Sequence, residues 1–218
     1  MMTNITELSL TNYVAMNNFM YLNVDMPNLK TLVLVDASSF IDHIQSHQIE
    51  TLKVSELPWS TVCVGGDWDD FLESCENLKE LHMRNFLRDI DLSKFGFSLS
   101  TLVLDGYYNP YFKDPSACRR FYKIFNSLVR AQKGSLRRIW LEIGVKMENE
   151  EDSLSDLLKI IVDEMDIEEL AWTYDYMGLN PLNQNSTIKK LKLFDFPEFG
   201  SNYAKLQQLQ AVEELDVD

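Results

Sequence analysis

One short pattern recurs nine times along this sequence, and a chain that repeats itself is constrained to stack like units on one another. The pattern is an aliphatic residue, two mostly polar ones, an aliphatic, one variable residue and an apolar one. It appears as Ile5-Leu8-Leu10, Leu29-Leu32-Leu34, Ile49-Leu52-Val54, Leu78-Leu81-Met83 and Leu99-Leu102-Leu104. It continues as Leu136-Ile139-Leu141, Ile167-Leu170-Trp172, Ile188-Leu191-Leu193 and Val212-Leu215-Val217. The starts lie 24, 20, 29, 21, 37, 31, 21 and 24 residues apart. The last two apolar positions alternate with polar ones, as a short half-buried strand requires. The first apolar position pins the chain as it enters that strand. Between copies the chain returns to the same edge, so successive strands run parallel and the returns stack behind them. One unit cannot bury its apolar face, but a stack of them shares a continuous core.

The returns carry coarser signals. Residues 38–47 read as a short helix with Phe40, Ile41 and Ile44 on one side, and residues 67–76 place Phe71, Leu72 and Cys75 at helical spacing. Asp114-Pro115 opens a third helix, whose stripe of Phe121, Phe125 and Leu128 ends before Gly134. Residues 153–165 give the clearest helix, lined by Leu154, Leu157, Leu158, Ile161, Val162 and Met165. Residues 203–209 are a further candidate, while 16–26 and 178–186 look irregular. With no Pro/Gly-rich linker, residues 1–218 read as a single domain of about nine repeats. The fold expected is α/β, a solenoid in a right-handed arc with a concave parallel sheet and helical or irregular returns on the convex side.

At this point the chain resembles the leucine-rich-repeat proteins with helical returns, the ribonuclease-inhibitor-like group; six of the eight spacings lie in the roughly 20–29-residue window of such repeats. The segment Phe71-Leu72-Glu73-Ser74-Cys75-Glu76-Asn77-Leu78-Lys79-Glu80-Leu81-His82-Met83 is similar to the cysteine-containing repeat of F-box/leucine-rich-repeat proteins. The resemblance implies that the arc holds a target protein, and that an F-box in front of it would recruit the components of an SCF-type ubiquitin ligase. Here the pattern begins at Ile5 and leaves no room for an F-box before it. A piece of a longer protein is therefore expected, with a free-standing repeat protein as the alternative.

Charge and composition narrow the partner. The chain has 34 acidic residues against 20 Lys plus Arg, a formal net charge of -14. That argues against nucleic acid or an anionic membrane surface, both of which want positive charge. No apolar run approaches a bilayer-spanning length and no secretory segment opens the sequence. Three cysteines, Cys63, Cys75 and Cys118, are too few for a disulfide scaffold. A cytoplasmic or nuclear setting and a protein partner are expected, with the partner's identity left open.

If strands line one face, the residues between the aliphatic positions point away from the core. The central outward row reads Ser9, Val33, Lys53, His82, Val103, Trp140, Ala171, Lys192 and Asp216. Val35, Arg84, Arg138, Glu142 and Phe194 flank it. Tryptophan, other aromatics and arginine most often anchor protein interfaces, so Trp140 between Arg138 and Glu142 is the expected contact centre. The expected partner-binding set is Val33, Val35, His82, Arg84, Val103, Arg138, Trp140, Glu142, Lys192 and Phe194. The bland account is that Trp140 and Phe194 cover their neighbours across the sheet, and that the valines are ordinary strand formers. The 27 outward positions carry five bases and eight acids, close to the bias of the whole chain.

Catalytic and metal patterns are weak. His43 and His47, four apart, have no third ligand, and Cys63 and Cys75 lack a CxxC partner. Gly65-Gly66-Asp67 lacks the Lys-Ser/Thr ending of a phosphate loop, and Asp67, Asp69 and Asp70 miss the spacing of a calcium loop. Asn4-Ile5-Thr6 and Asn185-Ser186-Thr187 match the glycosylation sequon without a secretory context, and Ser153 serves equally as a helix cap or a phosphorylation site. No enzyme, cofactor or metal is expected. Beside a recognition module, the other function considered is an assembly subunit held through the ends of its repeat stack.

Overall fold

The computed structural model describes residues 4–11, 24–56, 67–85, 90–106, 115–142, 151–173, 187–194 and 211–217. Alternating apolar residues set the strands β1 (Glu7–Thr11), β3 (Thr31–Val35), β5 (Thr51–Ser55), β6 (Glu80–Arg84) and β7 (Thr101–Asp105). The series continues through β8 (Arg138–Glu142), β9 (Glu169–Thr173), β10 (Lys190–Phe194) and β11 (Glu214–Val217). These nine form one parallel sheet in chain order, so each strand pairs with its sequence neighbours. The fold is α/β with few helices, which agrees with the expected class.

Register follows from the apolar pattern, because slipping a strand by one residue would turn its leucines to the other face. Leu8, Leu32, Leu52, Leu81, Leu102, Ile139, Leu170, Leu191 and Leu215 therefore stand side by side, and the apolar positions two residues later form a second such row. Each strand is entered in the same way. The carbonyl of Lys30 accepts from the N–H groups of Glu50 and Thr51, that of Glu50 from Lys79 and Glu80, and that of Lys79 from Ser100 and Thr101. The arrangement recurs at all eight junctions with distances of 2.7–3.2 Å. The first apolar residues, such as Leu29, Ile49, Leu99, Leu136 and Ile167, are 0% exposed and close the core beneath those entries.

The returns cover the buried face of the sheet. Helix α1 (Trp68–Glu73) is capped by the Asp67 carboxylate, which accepts from the Asp70 N–H at 3.2 Å. Helices α2 (Pro115–Ala131) and α3 (Glu151–Glu164) put Phe125, Leu128, Val129, Leu157, Leu158 and Ile161 into the same core as the strand leucines. Short 3-10 turns occupy Ser38–His43 and Leu92–Lys94. Asp36 and Asn85, which follow β3 and β6, have φ of 50 and 53, a left-handed geometry that Asp and Asn tolerate better than most residues.

Several expectations need correction. The helix expected over 38–47 is a 3-10 turn that stops at His43, because Ile44 and Gln45 turn extended as β4 (Ile44–Gln45) and pair with β2 (Val24–Asp25). Within the 16–26 return, expected to be irregular, that pairing makes Val24 and Asp25 extended, while residues 16–23 lie outside the described residues; it also removes His47 from any helical face shared with His43. Cys75 lies beyond α1, not within it, and the clearest helix starts at Glu151 and ends at Glu164. Cys63, Gly65, Gly66, Asp114, Asn185, Ser186, the 178–186 return and the candidate helix at 203–209 lie outside the described residues, as do the side chains of Cys118, Phe121, Ser153 and Leu154. Among the described residues no helix is long and apolar enough to cross a membrane.

Candidate functional site

Strand alternation leaves three rows of side chains on the face away from the helices. In the central row, β3, β5, β6, β7, β8 and β10 present Val33, Lys53, His82, Val103, Trp140 and Lys192, all half-buried except Lys53, which is exposed. Arg84 and Arg138 are exposed, and Val35 and Glu142 are half-buried at its flanks. All ten expected contact residues thus lie on one face.

They do not form one cluster. Trp140, Lys192 and Phe194 are drawn together because Ala171, on the strand between them, has too small a side chain to keep them apart. The Trp140 and Phe194 rings meet with centroids 5.2 Å apart at 49°. The Lys192 ammonium lies 5.7 Å from the indole centroid and 5.1 Å from the phenyl centroid, close enough for a cation–π contact with each. Asp216 holds the same ammonium at 2.8 Å. Phe194 is only 6% exposed, so it supports the indole and presents little of its own ring. The bland account of Phe194 therefore describes it well, whereas Trp140 remains half open.

A chain of polar contacts links this cluster to the next. The Trp140 indole N–H donates to Glu142 Oε2 at 3.3 Å. Glu142 stands in register beside Asp105, which is 8% exposed and receives the Arg84 guanidinium at 2.8 Å. Partial burial, with the Asp105 charge beside it, pushes the Glu142 carboxyl above the ordinary range. His82 goes the other way, since burial and the Lys53 charge both disfavour its protonated form. Its Nε2 has no hydrogen-bond partner, the nearest acid being Glu80 at 3.8 Å.

The rim where the strands begin adds a group that pattern reading passed over. Glu50 is bridged by Lys30 at 2.9 Å and Lys79 at 2.7 Å, one from each neighbouring unit. Hydrogen bonds from Lys79 and then Lys30 hold its carboxyl down to about 2. The sign follows from linkage: the bridges stabilise the fold at pH above the ordinary carboxyl value and fade as pH falls toward the depressed one. A carboxyl-detected NMR titration should find Glu50 ionised until about 2, and Lys79→Met should move the midpoint back toward 4.5. An unmoved midpoint would refute the bridge.

Other chemistry is sparse among the described residues. No group of three or more His, Cys, Asp or Glu is placed to hold a metal. Cys75 is fully buried, its Sγ–H donates to the Phe71 carbonyl at 3.3 Å, and burial pushes its thiol up to about 11, far from a reactive thiolate. Compared with protein-family models, with curated proteins and with solved structures, the chain matches none.

Proposed function

We propose that this chain is a leucine-rich-repeat module, a right-handed arc whose sheet forms the concave side and binds a partner protein around Trp140. The observation that carries this reading is the half-open indole, propped by Phe194 and Lys192 and held at its nitrogen by Glu142. A rigid aromatic set in a partly desolvated, polar-rimmed position is the usual form of an interface anchor. Support for the repeat family comes from the nine copies in register and from their identical entry contacts. The cysteine-bearing copy ending in β6 suggests the wider role, target recognition for a ubiquitin ligase whose F-box would lie outside this sequence.

The test is affinity purification with mass spectrometry, comparing the wild type with a Trp140→Ala, Arg84→Glu double variant. Truncating an aromatic anchor typically costs about 2 kcal/mol or more of binding, so the true partner should fall at least tenfold in recovery. The variant chain should still unfold cooperatively, though at a lower temperature, because Asp105 loses its Arg84 partner. A partner retained in full by the variant would remove the site from this face. Ubiquitin-ligase scaffold subunits recovered only with an upstream-extended chain would support the wider role.

A further inference from the structure

On the side of the molecule away from the sheet, α2 and α3 carry opposite charge. Seven of the chain's 20 bases fall within residues 115–141 and none of its 34 acids does, so the outer side of α2 is basic throughout. Phe125, Leu128 and Val129 turn to the core, and helical spacing then sets Arg119, Arg120, Lys123 and Arg130 on the opposite side. In α3 the core-facing residues are Leu157, Leu158 and Ile161, which leaves Asp152, Asp156, Lys159 and Asp163 outward. One stripe thus holds four bases and no acid, and the next holds three acids and one base. Lys123, Arg130, Lys159 and Asp163 are exposed and have no ion-pair partner among the described residues, where one pair, Lys133 with Glu164 at 2.9 Å, joins the two returns. The side chains of Arg119, Arg120, Asp152 and Asp156 lie outside the described residues, so these four stand on helical position alone.

The levels of the charges match as well. Both helices are returns between parallel strands, so they run the same way, and they pack side by side. Lys133 and Glu164, 31 residues apart in sequence, meet at one level. The same offset carries Arg120, Lys123 and Arg130 to residues 151, 154 and 161, each within two residues of Asp152, Asp156 or Asp163. At about 1.5 Å of rise per residue, each base stands within about 3 Å of the level of one acid. Within one chain these stripes point outward together and not at each other.

We propose that this surface docks a second copy of the chain about a two-fold axis that runs along the helices between α2 and α3. That rotation lays α2 of each copy over α3 of the other, in the same direction and at the same level, so each base faces an acid in both halves of the contact. A uniformly acidic or uniformly basic partner would suit one stripe and be repelled by the other, whereas a second copy carries the matching pair. Lys159 is the exception, because it lies two residues on the other side of residue 161 and opposes Arg130. The dimer leaves both sheets facing outward, with Trp140 of each copy still open, so it offers a partner two faces at once.

Sedimentation equilibrium of the full chain at up to about 100 µM tests this, since small polar contacts associate weakly. The wild type is expected to show a monomer–dimer equilibrium. Lys123→Glu with Arg130→Glu, and Asp156→Lys with Asp163→Lys, should each weaken it about tenfold or more by setting like charges together. Mixing the two variants should restore the dimer, because each reversed stripe then meets its opposite in both halves. Lys159→Glu should tighten the wild-type dimer by removing the one mismatched charge. Circular dichroism checks that each variant is folded; where a reversal unfolds the chain, Lys123→Gln with Arg130→Gln should still weaken the dimer. A wild type that stays monomeric, a dimer indifferent to these changes, or a mixture of folded variants that stays monomeric would overturn the proposal. Self-association that survives both reversals but is lost in Trp140→Ala would place the contact on the sheet and overturn it too.

Discussion

Replacing Leu102 with alanine is expected to lower the unfolding free energy by about 2–5 kcal/mol, the range for deleting a buried leucine side chain. Leu102 is 0% exposed and stands in register between Leu81 and Ile139, with Leu99 buried at the entry to the same strand. The cavity cannot close by sliding the strands together. Hydrogen bonds on both sides of β7 fix the strand spacing, so the lost contacts are not recovered elsewhere. Val103, the next residue along, is the control, because its side chain points to the opposite face. Val103→Ala should cost under about 1 kcal/mol, as for most changes outside a core. Denaturant unfolding of both variants measures the contrast. Equal losses would mean that the two faces are equally covered, which would remove the basis for a binding face.

That contrast also marks what could be read in the sequence. The strands were legible because a one-residue slip would expose a whole row of leucines, so the spacing of Leu32 and Leu34 or Leu102 and Leu104 leaves one register open. Trp140, Lys192 and Phe194 could be put on one face by the same alternation. Their mutual contact could not be read, because it depends on Ala171 being small in the strand between them. The burial of Asp105 and Phe194 is hidden for a related reason: a position that faces outward by alternation is still covered when a neighbour leans over it, Arg84 from the adjacent strand for Asp105 and Trp140 from two strands away for Phe194. The sequence around the 3-10 turn at Ser38–His43 predicts a longer helix because Ile41 and Ile44 suit either structure, and only the pairing of β4 with β2 decides between them. The Glu50 bridges join residues from three units, which no local pattern reveals.

Gln132 is the plainest case of a structural residue without a sequence signal, and its replacement should have an effect comparable to that of Leu102. It sits past the end of α2 and is 5% exposed. Its Oε1 accepts from the Leu99 N–H at 2.8 Å, and its Nε2 donates to the Phe97 carbonyl at 2.9 Å. One amide thus supplies the donor and the acceptor that the buried turn before β7 lacks, and ties that turn to the helix behind it. Gln132→Leu keeps the volume but strands one buried N–H and one buried carbonyl, each costing about 1–3 kcal/mol, so a loss of about 3 kcal/mol is expected in denaturant unfolding. Gln132→Glu separates the two bonds. Its carboxylate could still accept from Leu99 but would face the Phe97 carbonyl with no proton to donate, whereas the protonated acid can serve both. Burial beside a carbonyl raises the folded-state pKa of such a group, so its deficit should be smallest below about 4.3, the ordinary glutamate value, and should grow as pH rises from there toward the raised folded value. A Glu variant as stable as the wild type at neutral pH, or one whose deficit ignores pH, would mean that water and not Gln132 satisfies the turn.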